Sequence, residues 1–355
     1  VVSAGVAFVF VFMGKVFVAD IYAGKAISTS AAGPSRDSAN LFLRALTMYP
    51  QEGRYYTRLG QEYMTLANVE ANKPEAERKN DTVAFYVREA IAAGKEGKRL
   101  MPNDVMATES LGLLYENAAI YASDALPAAQ ELYARSIELE PKNPLYFLKL
   151  GNLKKSEGDA KPEGAERKSL YKEAQAYFEK SLEQKKDLAV AHYNLAVVLS
   201  RLEETGRAIE EAQAALLIEP NNLNYKYNLA VLYQLRDDDG DAERAENMFK
   251  EILVTNEKLI DVRLSLGLLY ETESKRDAAV TEYQKILEFL PDASEGTVKQ
   301  TRDQIQKFIE NVRSGVGNLS KKGVTSAPSA VTAPEPSLPQ APVAPNVSPL
   351  NDQGQ

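Results

Sequence analysis

Along the middle of this chain, apolar positions recur at helical spacing between charged ones, and the pattern restarts six times. The plainest copy runs from Ala189 to Asn222. It has Tyr193-Asn194-Leu195-Ala196 early, Leu199 three residues on, then Ala208, Ala212, Ala215 and Pro220. Apolar residues three and four apart share one helix face, and Pro cannot continue a helix. Each copy therefore predicts two amphipathic helices, closed by Pro102, Pro141, Pro220 and Pro291 in four copies, with Lys186 at the equivalent place in the third. Aligned on the early Leu-Gly/Ala pair, the copies open at Gly53, Val105, Pro144, Ala189, Leu223 and Ile260, at spacings of 52, 39, 45, 34 and 37 residues. A recurrence of this length predicts stacked supersecondary units and not one globular core.

The small early residues are Gly60, Gly112, Gly151, Ala196, Ala230 and Gly267. They let two helices of a unit approach closely, while Tyr133, Phe178, Phe249 and Tyr283 supply bulk from the second helix. The surplus over 34 residues fits between the two helices of a unit, so 72–81, 158–168 and 237–241 read as solvated turns or helix extensions. The pattern resembles the tetratricopeptide repeat. No Trp stands at the usual early aromatic site; Phe147 and His192 do so in two copies. The resemblance implies an all-α, right-handed superhelical solenoid of six units over 53–291, whose first helices line a concave partner-binding face.

The two ends of the chain are different material. Val1 to Gly14 has no charge, and Val16 to Ala19 continues the apolar run after Lys15. A bilayer span needs about 20 apolar residues, and a lysine near one end reaches the headgroups. Residues 1–19 are therefore expected to be a transmembrane helix. A signal remnant or a buried helix are the alternatives, the first disfavoured by the missing basic leader. The chain is expected to start inside a longer polypeptide. Residues 20–52 read as a junction with a degenerate half repeat: Ser38, Phe42, Ala45 and Pro50 match a second helix, whose first helix would have to run out of the apolar segment. Val298, Ile305, Ile309 and Val312 share a face, which predicts a capping helix over 292–315. Residues 316–355 hold Pro328, Pro334, Pro336, Pro339, Pro342, Pro345 and Pro349, and read as a disordered Pro/Ala-rich tail.

Charge and composition narrow the chemistry. A net charge of −8 and no basic stripe argue against a nucleic-acid partner. No Cys and one His leave no expectation of a metal site or a cofactor. His192 has no Ser or Asp constellation around it and reads as a packed imidazole. Asp237-Asp238-Asp239-Gly240-Asp241 begins like a calcium loop, but Ala245 and Met248 stand where the ninth and twelfth positions need ligands, so a solvated turn is expected. The chain is expected not to be an enzyme.

The resemblance puts the second, fifth, ninth and twelfth positions of each unit on the concave face. The residues singled out for a partner peptide are Leu148, Asn152, Tyr193, Val197, Tyr227, Val231, Leu264 and Leu268, with Asn194 and Asn228 placed to bond a peptide backbone. Tyr and aliphatic groups suit an extended peptide or an amphipathic helix. The Lys/Arg set of carboxylate-clamping relatives is missing. The leading expectation is thus a scaffold for protein or peptide partners, tethered to a membrane through Val1–Ala19. A second resemblance competes with it. The order apolar helix, Ala-Asp-x-Tyr-Ala-x-Lys-Ala (Ala19 to Ala26) and repeats is similar to the C-terminal regions of O-antigen-ligase-like polytopic membrane proteins, which implies a non-catalytic part of a glycosyltransferase. Lys25, Arg36 and Arg44 favour a cytoplasmic side. The Pro/Ala tail and the ligase resemblance favour the outer face, which is the expectation.

Overall fold

The computed structural model describes residues 2–122, 125–292 and 295–318, with side chains from residue 10 onward, and all their regular structure is helical. The helices follow in pairs: α1 Val2–Ala31 with α2 Arg36–Met48, α3 Gly53–Ala71 with α4 Asn80–Leu100, and α5 Val105–Ala118 with α6 Ala125–Leu139. After them come α7 Pro144–Ala160 with α8 Ala165–Gln184, α9 Ala189–Arg201 with α10 Thr205–Ile218, α11 Leu223–Arg236 with α12 Asp241–Thr255, α13 Ile260–Thr272 with α14 Arg276–Phe289, and finally α15 Gly296–Ser314. The described chain forms two compact units, one ending at Leu153 and the other starting at Lys154.

Three hairpins close by a related device. The second helix lays a tyrosine ring on a glycine of the first, and the ring's hydroxyl reaches a carboxylate of that first helix, one turn beyond the glycine in α5–α6 and α13–α14 and directly after it in α7–α8. In α5–α6 a Cβ on Gly112 would stand 3.1 Å from the Tyr133 ring, and Tyr133 donates its hydroxyl to Glu116 at 2.5 Å. In α13–α14 a Cβ on Gly267 would lie well inside contact with the Tyr283 ring, and Tyr283 donates to Glu271 at 2.5 Å. Gly158, Tyr171 and Asp159 repeat this in α7–α8, with a hydroxyl-to-carboxylate distance of 2.7 Å. Where the first helix carries Ala196, the second offers only Ala208 and Ala212, and all three are buried.

The N-terminal helix differs from the expectation of a separate span ending at Ala19. It is continuous to Ala31, and its small-residue stripe Ala19, Ala23 and Ala26 is buried where α1 packs on α2. Ser38 of α2 donates its hydroxyl to the Ala26 carbonyl at 2.9 Å. The i, i+4, i+7 spacing of those alanines gives α2 a flat surface to rest on, so the junction segment is hairpin structure. On the rest of α1, Phe10, Val11, Phe12, Met13 and Phe17 are exposed. Among the described residues no helix is long and apolar enough to cross a membrane. The side chains of 1–9, half of the expected span, lie outside the described residues, as does the Pro-rich tail from 319.

The acidic turn before α12 is not simply solvated. Asp237 and Gly240 take positive φ of 56° and 79°, which turns Asp241 inward until it is fully buried. Its carboxylate accepts from Arg236 at 2.7 and 2.8 Å and from Arg244 at 2.7 Å. Two guanidiniums thus occupy the oxygens that a calcium ion would need. At the far end, Ile305, Ile309 and Val312 of α15 are buried, and Arg302 donates to the Leu287 and Leu290 carbonyls at 3.0 and 2.8 Å, closing the C-terminus of α14.

One carboxylate in the first unit has no such closure. Glu62 of α3 is fully buried, and among the described residues neither oxygen has a hydrogen-bond partner. Ser38, Ser30 and Arg58 all act to favour its charge, but the Ser38 proton is committed to Ala26 and burial outweighs them. Burial pushes the Glu62 carboxyl up to about 8. Between its ordinary value near 4.5 and about 8 the unfolded chain releases a proton that the folded chain keeps. This contribution to stability is fully present below about pH 4.5 and is lost as pH rises toward 8. Glu62→Gln should therefore abolish a stability loss of about 1–3 kcal/mol between pH 5 and 8. Denaturant unfolding followed by circular dichroism at the two pH values measures it. An unchanged pH slope in the variant would show that Glu62 is ionised in the folded chain.

Candidate peptide-binding face

In the second unit, α9, α11 and α13 are the first helices of successive hairpins, and α11 touches both of the others. Tyr193 and Val197, Tyr227 and Val231, and Leu264 and Leu268 are pairs four residues apart, so each pair lies along one side of its helix. All six are half-buried, whereas Leu195, Ala196, Val198, Leu199, Leu229, Ala230, Leu232, Leu266 and Leu269 are buried. The hairpin core is thus closed, and these six side chains are left partly open.

The two tyrosines also join the helices. Tyr193 stacks on Tyr225 of α11, ring centroids 5.0 Å apart, and the Tyr227 hydroxyl lies 2.9 Å from Ser265 Oγ of α13. Burial pushes the Tyr227 phenol up, so it stays protonated at neutral pH. The bonds between neighbouring first helices were not legible in the repeat pattern, because Tyr225 and Ser265 occupy positions that look like ordinary core.

Asn194 and Asn228 differ despite their equivalent places. Asn194 is buried and engaged with neighbouring groups. Asn228 is half-buried, and its buried Oδ1 has no hydrogen-bond partner among the described residues. An unmet buried acceptor costs about 1–3 kcal/mol, and one backbone N–H of an incoming peptide would relieve it.

In the first unit, Leu148 corrects the sequence reading. It is wholly buried, as are Tyr146, Leu150 and Leu153 on the same helix. With Gly151 buried too, α7 packs neighbours around most of its circumference, which leaves Leu148 closed to a partner. Asn152 is half-buried and has a partner of its own.

The acidic ends of the second-unit face are Asp261 and Glu271, both half-buried. Burial raises the Asp261 carboxyl. Glu271 holds the hydroxyl of Tyr283 and also receives the chain that leaves α15. The Asn318 backbone N–H donates to one oxygen at 2.8 Å, and its side-chain amide to the other at 2.7 Å. In α5–α6 the corresponding carboxylate, Glu116, is met by Lys149 of the following helix at 3.0 Å. Beneath the face, Arg263 and Glu282 form a buried pair at 2.5 Å between α13 and α14. Arg263 also donates to the Glu257 carbonyl at 2.7 Å and lies over the Phe289 ring, so the buried charge is compensated on several sides.

His192 is held at both ring nitrogens. Nδ1 lies 2.6 Å from Glu211 and Nε2 2.8 Å from the Lys186 carbonyl. Both partners are acceptors, so both nitrogens carry protons in this geometry. The Glu211 carboxylate raises the imidazole above its ordinary 6.5. Its stabilising contribution is fully present below pH 6.5 and is lost as pH rises through the raised value. In an NMR titration the single imidazole should titrate above 6.5, and Glu211→Gln should bring it down. An unshifted wild-type imidazole would contradict the ion pair.

The family model of the tetratricopeptide repeat matches residues 189–222. No curated protein matches the chain. Among solved structures, similarity extends to MamA, with 21% identity over 52% of this chain and 94% of that one at a TM-score of 0.41. It also extends to YrrB, a TPR protein with an unusual peptide-binding site, with 18% identity over 60% of this chain and 99% of that one at a TM-score of 0.45. A third is pilF of Pseudomonas aeruginosa, with 14% identity over 73% of this chain and 98% of that one at a TM-score of 0.49. The ligase-like resemblance gains no support from these matches. The hairpin α9–α10 occupies the matched stretch, so residues 189–222 of this chain form a tetratricopeptide repeat.

Proposed function

We propose that this chain is a non-catalytic scaffold that binds an extended segment of a partner protein on the α9–α11–α13 face. The observation that carries the reading is the set of three i, i+4 apolar pairs left half-open on successive first helices above a closed core. Asn228 adds an unmet acceptor for a peptide backbone. The Tyr and aliphatic make-up favours apolar side chains in the ligand over a C-terminal carboxylate.

Peptides selected from a random displayed library on the full chain should bind with micromolar Kd. Val231→Glu with Leu268→Glu should weaken them by about tenfold or more, since a charge is forced against apolar ligand groups. Helicity should be unchanged, because both side chains are already half-exposed. Selected peptides that bind both proteins equally would remove the face from the proposal.

The same reading includes a tether at the N-terminus. Phe10, Val11, Phe12, Met13 and Phe17 are exposed on one helix, in continuity with the uncharged run that precedes them. Such a helix end suits a bilayer, with the repeats placed on its outer face. Removing residues 1–14 spares the buried Ala19, Ala23 and Ala26. It should release the protein from membranes under carbonate extraction. Equal extraction of both forms would exclude the tether.

A further inference from the structure

We infer that the α9–α11–α13 face has an occupant within this chain: residues 319–337, which dock along it and must be displaced by a partner. This rests on the proposal that the face binds extended peptide. Its own support begins with the place where the described chain stops. After α15 the chain does not run away from the repeats. Asn318 is fastened to Glu271 of α13 by two hydrogen bonds, 2.8 and 2.7 Å long. A third, at 2.8 Å, ties its side chain to Asn311 of α15. Glu271 lies three residues from Leu268 on the same helix, hence on an adjoining part of the surface. The segment that follows is thus delivered to the rim of the face.

Its chemistry fits that surface. Residues 319–337 contain Pro328, Pro334 and Pro336, with Val324, Val331 and several alanines between them. Proline-rich sequence is biased to the extended polyproline conformation, which docks in grooves lined by aromatic rings at a low ordering cost. Tyr193 and Tyr227 supply the rings. The charged residues of the segment are Lys321, Lys322 and Glu335, and the two lysines come three and four positions in sequence after Asn318, the residue bound to Glu271. Reach is ample. In the extended form these 19 residues span roughly 60 Å, whereas neighbouring packed helices lie about 10 Å apart, so α9 is roughly 20 Å from α13. The absence of any linker cost beyond Asn318 makes even weak contacts effective, because a short tether holds the segment at an effective concentration of about a millimolar.

The test uses the full chain, which has no native cysteine. Spin labels at Ser329→Cys and Arg201→Cys, the latter exposed at the end of α9, report where the segment lies. A narrow, short distance distribution is expected, and it should broaden with Val231→Glu and Leu268→Glu. In parallel, 319–337 is replaced by Gly/Ser of equal length, and the affinity of a library-selected peptide is compared with wild type. Removing the competitor should tighten the peptide about 5- to 20-fold. Peptides that bind only the replaced chain would support the inference in its strongest form. A broad distribution in wild type together with unchanged peptide affinity would overturn it while leaving peptide binding standing. A narrow distribution indifferent to the face variants would also overturn it, since the segment would be docked elsewhere. Failure of every peptide on both chains, with a broad distribution, would instead remove the peptide-binding reading itself.

Discussion

A ring resting on a glycine is the contact from which the hairpins are built. Tyr171 on Gly158 and Tyr283 on Gly267 leave no room for a Cβ on the first helix, and Tyr133 on Gly112 admits one only if the ring gives way. The distance between two helix axes is set by what lies between them, and here one helix contributes nothing but backbone. A glycine in a helix interior costs about 1 kcal/mol against alanine. The buried aromatic area and its contacts outweigh that. A ring so placed has its hydroxyl at a fixed height, and in these three hairpins a carboxylate of the first helix waits there. Apolar closure and polar closure are therefore one geometry.

The carboxylate then has an unused lone pair that faces the next element. Glu116 turns it to Lys149 of the following helix, and Glu271 to Asn318 after the last one. The stacking of hairpins and the course of the chain beyond α15 thus depend on the same acceptor position. Glu62 is the counterexample. It is a buried carboxylate whose oxygens make no hydrogen bond among the described residues; Ser38, Ser30 and Arg58 favour its charge less than burial opposes it, so the neutral form is favoured. The charge that elsewhere joins neighbours is suppressed where α3 packs on the N-terminal hairpin.

The candidate face follows from how the hairpins use up their apolar residues. Each first helix buries one flank against its partner helix and another against neighbouring hairpins. A third strip remains, and in α9, α11 and α13 it carries Tyr, Val and Leu where a monomeric helix would carry charge. Two of those residues have further duties, since Tyr193 and Tyr227 reach Tyr225 and Ser265 on the next helix. A ligand on this face therefore meets rings whose orientation is already fixed, which lowers the entropy lost on binding.

The six repeat helix starts and small residues such as Gly112 and Gly267 were legible in the sequence, because hydrophobic spacing and Gly/Ala/Pro placement are local consequences of helix geometry; in α7 the ring rests on Gly158 and not on the expected Gly151. The four-residue spacing of the half-buried Val197, Val231, Leu264 and Leu268 with their neighbours was legible for the same reason. Burial around most of a helix was not: Leu148 has the spacing of a surface residue and is enclosed, as are Tyr146, Leu150 and Leu153 beside it. Asp241 looks like one member of an acidic turn and is a buried anion clamped by two arginines, a result of positive φ at Asp237 and Gly240. The apolar N-terminus showed its composition, but its continuation to Ala31 became visible only through α2 packing on Ala19, Ala23 and Ala26. Period and composition act along the chain and can be read there. Which carboxylate meets which hydroxyl, and which leucine stays open, depend on residues brought together from distant positions, and only the tertiary structure decides them.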